Sequence, residues 1–124
     1  MDENNFYERM GGKPTFALLT QRFYAAVASD PILAPMYPAD DMEGANERLQ
    51  LFLEQYWGGP STYSQTRGHP RLRMRHAGFP IDAAAHDAWL VCMHQAVIDL
   101  PIAEDLKEEL WTYFQYAAHS MKNQ

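Results

Sequence analysis

Apolar positions along this chain recur at spacings of three and four, and Gly and Pro mark where each run stops. Phe6 to Met10 form a short apolar segment that ends at Gly11-Gly12. Pro14 then suits the first turn of a helix on which Phe16, Leu19, Phe23 and Val27 share one face. Asp30-Pro31 predicts the cap and first position of a further short helix ending near Tyr37-Pro38. Asp40-Asp41 place negative charge at the start of the next helix, whose stripe is Ala45, Leu49, Phe52, Leu53 and Tyr56. Gly58-Gly59-Pro60 stop it, and residues 61–68 are expected as a polar loop.

Pro70 opens a short helix with Leu72 and His76 four apart on one face, closed by Gly78 and Pro80. Asp82 caps a long helix carrying Trp89, Cys92, Met93, Ala96, Val97 and Leu100, which Pro101 breaks. Glu104 begins the last helix, reaching about Met121, with Leu106, Leu110, Tyr113, Phe114, Ala117 and Met121 inward. With no period-two alternation and no repeat or linker, the pattern predicts an all-α fold in a single domain spanning residues 1–124. The stretch 58–80 is long for a connection in a compact domain and carries little apolar mass, which is a signature of function.

Composition narrows the classes. At 47% hydrophobic and 13% aromatic the chain can fill a core, and the same side chains would line a flat apolar ligand. A net charge of -6 argues against nucleic acid as a partner, although Arg67, Arg71, Arg73 and Arg75 form a local basic cluster able to meet an anion. One cysteine, Cys92, excludes an internal disulfide and fits a reducing compartment. The polar start and apolar runs as short as 88–93 predict neither a signal peptide nor a membrane span, so the protein is expected to be soluble and cytoplasmic.

The chemistry narrows further. One Cys and five scattered His do not supply the clustered ligands of a structural zinc, and Glu-x-x-His pairs for a di-iron bundle are absent. Neither a Gly-x-Ser-x-Gly elbow nor a phosphate-cradling loop is present. A haem needs one axial ligand, a flat apolar slot and cations for two propionates. A lone His near apolar residues is ordinarily structural. His76 stands out by its company: Arg75 beside it, Phe79 and Ile81 after it, broad apolar helical stripes, and the polar aromatics Tyr24, Tyr37 and Trp89.

Several strings carry a family resemblance: Phe23-Tyr24-x-x-Val27-x-x-Asp30-Pro31, Met36-Tyr37-Pro38-x-Asp40-Asp41, Glu47-Arg48-Leu49, and Phe52-Leu53-Glu54-Gln55-Tyr56-Trp57-Gly58-Gly59-Pro60. Gly68-His69-Pro70-Arg71-Leu72-Arg73-Met74-Arg75-His76, Trp89 and Ala117-Ala118-His119-Ser120 complete the set. On these the chain resembles the group II truncated haemoglobins over nearly its whole length. The resemblance implies a pared-down globin in which two helix pairs cross over haem b, the two-over-two sandwich.

By the same resemblance His76 is the proximal iron ligand, its other ring nitrogen donating to a backbone carbonyl such as that of Leu72. Tyr24, Tyr37 and Trp89 surround dioxygen or another diatomic gas on the distal side, and Ala45 takes the place of a bulky distal histidine. Leu49, Phe52, Leu72, Phe79, Ile81 and Met93 form pocket walls. Arg48 and Arg75 pair with the propionates, with Tyr63 and His69 as weaker candidates for that task. Gly78 and Pro80 reshape the loop after His76 on which Phe79 and Ile81 sit.

The resemblance implies redox handling of oxygen, nitric oxide or peroxide, as a nitric oxide dioxygenase or peroxidase-like enzyme. Such turnover would need a separate reductase, since the chain has no flavin or nicotinamide motif. Oxygen storage, transport or sensing is the alternative, and a cofactor-free helical interaction module is a third. The chain is compatible with a monomer or a homodimer.

Overall fold

In the computed structural model, residues 5–37, 40–67 and 81–121 are described. They form six α-helices and one short 3-10 turn, with no strand among the described residues. The helices are α1 (Phe6–Met10), α2 (Lys13–Ala28), α3 (Met42–Tyr56), α4 (Thr62–Arg67), α5 (Ala83–Ile98) and α6 (Glu104–Met121).

The centre of the molecule is α2, which packs against both α3 and α5, while α5 packs in turn against α6. Its stripe does this directly: Phe16, Leu19, Phe23 and Val27 are fully buried, as their spacing requires. Leu53 of α3, Met93 and Val97 of α5, and Leu110 and Phe114 of α6 close the core around them. Large apolar side chains buried this completely each contribute roughly 1.5–3 kcal/mol.

Local chemistry sets the ends. Pro14 lies in the first turn of α2, where its missing N–H costs nothing. The Asp82 carboxylate accepts the Ala85 N–H at 2.9 Å and starts α5. After α3 the chain turns at Gly58, with φ of 100°. There the Asn5 amide donates to the Gly58 carbonyl at 3.1 Å, and the Tyr7 N–H donates to the Trp57 carbonyl at 3.0 Å. These two bonds tie α1 to the end of α3.

Four expectations are corrected. The segment after Asp30 is not an α-helix. Its carboxylate accepts the N–H groups of Ile32 and Leu33, making a turn that runs into the 3-10 residues Ala34–Met36. Part of the expected loop 61–68 is helical instead, because the Gln55 side chain both donates to Ser64 Oγ at 2.8 Å and accepts the Ser64 N–H at 2.9 Å. On α3, Tyr56 is 52% exposed while Glu54 is buried at 1%. Lys13 Nζ at 3.3 Å and Gln50 Nε2 at 2.8 Å compensate that carboxylate. On α6, Ala118 is buried where Ala117 is only half-buried.

Two substitutions test this account by urea denaturation. Phe16→Ala empties the centre of α2 and is expected to cost about 3–5 kcal/mol. Gly58→Ala meets an unfavourable left-handed backbone and sets a Cβ 2.6 Å from Asn5 Nδ2, so a loss of about 1–2 kcal/mol is expected. A neutral result at either position would contradict the packing or the turn described.

Candidate functional site

Three elements bring polar aromatics together. Tyr24 lies on α2, one residue after buried Phe23; Tyr37 follows the 3-10 turn; Trp89 lies on α5. The Tyr24 and Tyr37 rings meet edge to face at 5.5 Å and 90°. Phe23 touches both Tyr24, at 5.1 Å, and Trp89, at 5.3 Å. Trp89 lies close enough to Tyr37 to act on its phenol, drawing it down. All three polar aromatics are half-buried, so each keeps part of its surface open.

Burial governs the protonation of this group. It pushes the Tyr37 phenol up to about 12, against the downward pull of Trp89 and with a smaller upward push from Cys92. Tyr24 is raised as well, first by burial and then by Tyr37, while the Arg48 guanidinium acts in the opposite sense. Both phenols therefore stay protonated at physiological pH and remain donors. The thiol of Cys92, buried near this cluster, is raised by burial and by Asp30.

The other expected site residues divide into two groups. On α3, Arg48 pairs with Asp41 at 3.2 Å, Ala45 and Phe52 are buried, and Leu49 is half-buried against the core. Tyr63 of α4 is buried with its ring edge-on to Phe52 at 5.7 Å; Met93 is fully buried and Ile81 is buried. His76, Arg75, Leu72, His69 and Phe79 lie outside the described residues. Among the described residues no group of three His, Cys, Asp or Glu side chains could hold a metal ion, and no helix is long and apolar enough to cross a membrane.

The sequence left two features of the site unseen. One is the approach of Trp89 to Tyr37, 52 positions away in the chain, by which the indole acts on the phenol. The other is Cys92, read as plain core, which lies close enough to Tyr37 to influence it. Only the three-residue spacing of Trp89 and Cys92 on one helix hinted at that second relation.

Residues 5–123 match the family of bacterial-like globins. The chain belongs to that family. Its relatives place this globin among the group II truncated haemoglobins, with their two-on-two arrangement of helices. Group 2 truncated hemoglobin YjbI of Bacillus subtilis is 41% identical over 118 residues, covering 95% of this chain and 88% of that protein.

Two crystal structures are similar throughout. A thermostable hemoglobin from the actinobacterium Thermobifida fusca superposes with a TM-score of 0.93 at 55% identity, over 96% of this chain and 97% of that one. A truncated oxygen-avid haemoglobin from Bacillus subtilis gives 0.90 at 38% identity, over 97% of this chain and 100% of that one. Membership of the globin family carries with it haem-based binding of diatomic ligands.

The raised phenols make a pH test possible. A phenol that holds its proton to about 12 when folded, but releases it near 10 when unfolded, stabilises this globin fully below pH 10. That contribution is lost as pH rises from about 10 to about 12, because the unfolded chain then binds fewer protons. The melting temperature is expected to fall over that window, and to fall less steeply in Tyr37→Phe. Equal slopes in the two proteins would show that Tyr37 titrates normally.

Proposed function

We propose that this globin binds haem b with His76 as the axial protein ligand. We propose further that Tyr24, Tyr37 and Trp89 hold dioxygen, or another diatomic ligand, on the opposite face. The observation that carries this reading is the trio itself: two protonated phenols and an indole gathered against Phe23 in an otherwise apolar core.

The described residues fit a flat apolar group bearing a small polar ligand. Phe52, Leu49 and Met93 supply apolar wall, Ala45 adds no bulk, and Arg48 offers a cation at the edge, which with Arg75 would meet the propionates. When bound, haem supplies the iron at which the gas is held.

The protein's part is to donate. A bound dioxygen takes on partial negative charge, and neutral O–H and N–H groups are suited to stabilise it. A hydrogen bond to a charged group is worth about 1.5–3 kcal/mol, tenfold or more in affinity.

Donors of this strength favour slow release, which suits turnover of oxygen, nitric oxide or peroxide better than delivery. Such turnover would draw electrons from a separate reductase. The single cysteine, Cys92, fits a reducing, cytoplasmic setting.

Stopped-flow measurement of oxygen release tests the distal half of the proposal. Trp89→Phe keeps the ring and removes the N–H, and is expected to speed release about tenfold. An unchanged rate would remove Trp89 from the site. For the proximal half, His76→Ala is expected to abolish the histidine–iron stretching band of the reduced protein; its persistence would refute the ligand assignment.

A further inference from the structure

On the far side of α6 from the distal trio lies an open groove of about 650 Å³. The end of α3 forms one wall with Tyr56 and Trp57, and α6 forms the other with Glu109, Thr112, Tyr113 and Tyr116. Glu108 lines it too. The α6 residues recur at three- and four-residue spacing, so they present one continuous stripe.

The groove is aromatic. Tyr56 and Tyr113 overlap at 4.4 Å with 34° between their planes, and Trp57 meets Tyr113 at 5.5 Å. Tyr56 is 52% exposed and Tyr116 72%. Burial raises the Tyr113 phenol, and Tyr56 and Tyr116 raise it further, so three phenols crowd together here.

The groove is also negative and unpaired. None of its seven lining residues carries a positive charge. The nearby cations are engaged elsewhere: Arg9 with Asp105 at 3.1 Å, and Lys107 with the Ile98 carbonyl at 2.7 Å. Neither Glu108 nor Glu109 has an ion-pair partner among the described residues. The Trp57 indole N–H is buried with no acceptor among them.

We propose that this groove is a docking site for a separate protein that presents an arginine side chain on an exposed basic segment. A guanidinium can lie flat on a tyrosine face while its fork reaches a carboxylate, which a compact ammonium cannot do. A net charge of -6 steers a basic partner inward. Tyr and Trp are the residues on which docking energy concentrates. The site also leaves the distal pocket free, since Phe114 stands between Tyr113, at 5.4 Å, and Trp89, at 5.8 Å. Nothing in this proposal requires haem.

The test titrates capped tri-arginine and tri-lysine peptides into the full-length protein, reading amide NMR shifts at Thr112 and Tyr116. Tri-arginine is expected to shift those amides and to bind at least about fivefold more tightly than tri-lysine, the mark of stacking over simple attraction. Its affinity is expected to fall about tenfold in Glu108→Gln/Glu109→Gln and again in Tyr116→Ala, but to change less than about twofold in Glu43→Gln/Glu47→Gln, which removes the same charge from exposed positions on α3. Equal losses in the two double variants, equal binding of the two peptides, or shifts confined to other helices would overturn the site. Concentration-dependent self-association that the groove variants abolish would identify a second copy as the occupant and overturn the separate partner.

Discussion

Phe23 is the side chain on which both the core and the distal site depend. Fully buried, it lies within the stripe by which α2 holds α3 and α5 together, and its ring touches Tyr24 on its own helix and Trp89 on α5. An α-helix advances about 100° per residue, so the residue after Phe23 must point away from the centre of that stripe. Tyr24 therefore sits at the boundary of the core, half-buried. The position of the polar group follows from the packing of the apolar one.

The same burial sets the chemistry of the trio. A phenol in water is a mediocre place to keep a proton at high pH, but taking Tyr37 out of water penalises its charged form more than nearby Trp89 favours it. The result is a neutral phenol, and Tyr37 and Trp89 lie close enough for each to affect the other. Contributions assigned to them from single substitutions will not add.

Much of this architecture was legible along the chain because its signals are local. Periodicity located α2, α5 and α6 and their buried faces, and Pro14, Asp82 and Pro101 marked ends that depend only on backbone chemistry. The misreadings share a different cause. The helix α4 depends on Gln55, nine residues before Ser64, and Glu54 displaces the expected aromatic because Lys13, 41 positions away, can reach it. Tyr56 follows the α3 stripe but finds its partner on α6, stacking on Tyr113 at the surface. Each outcome was settled by a contact between elements, which spacing within one element cannot report. The trio was recognisable as residue types through resemblance, whereas the approach of Trp89 to Tyr37 required the fold.

Helix α6 repeats the logic of α2 with the opposite result. Phe114 turns inward to Trp89, and its neighbour Tyr113 turns outward to Tyr56 and Trp57. On α2 the residue beside the core ring, Tyr24, is a phenol that burial keeps neutral. On α6 the corresponding residue, Tyr113, floors an open groove whose rim carries two carboxylates. Low polarity around the first keeps its phenols neutral, because burial disfavours their charged form. Solvent access makes the second suited to a partner that arrives already charged, because the field of its carboxylates reaches into solvent. Two adjacent positions on each of two helices are enough to separate these environments, and the rings of Trp89, Phe114 and Tyr113 keep them in contact.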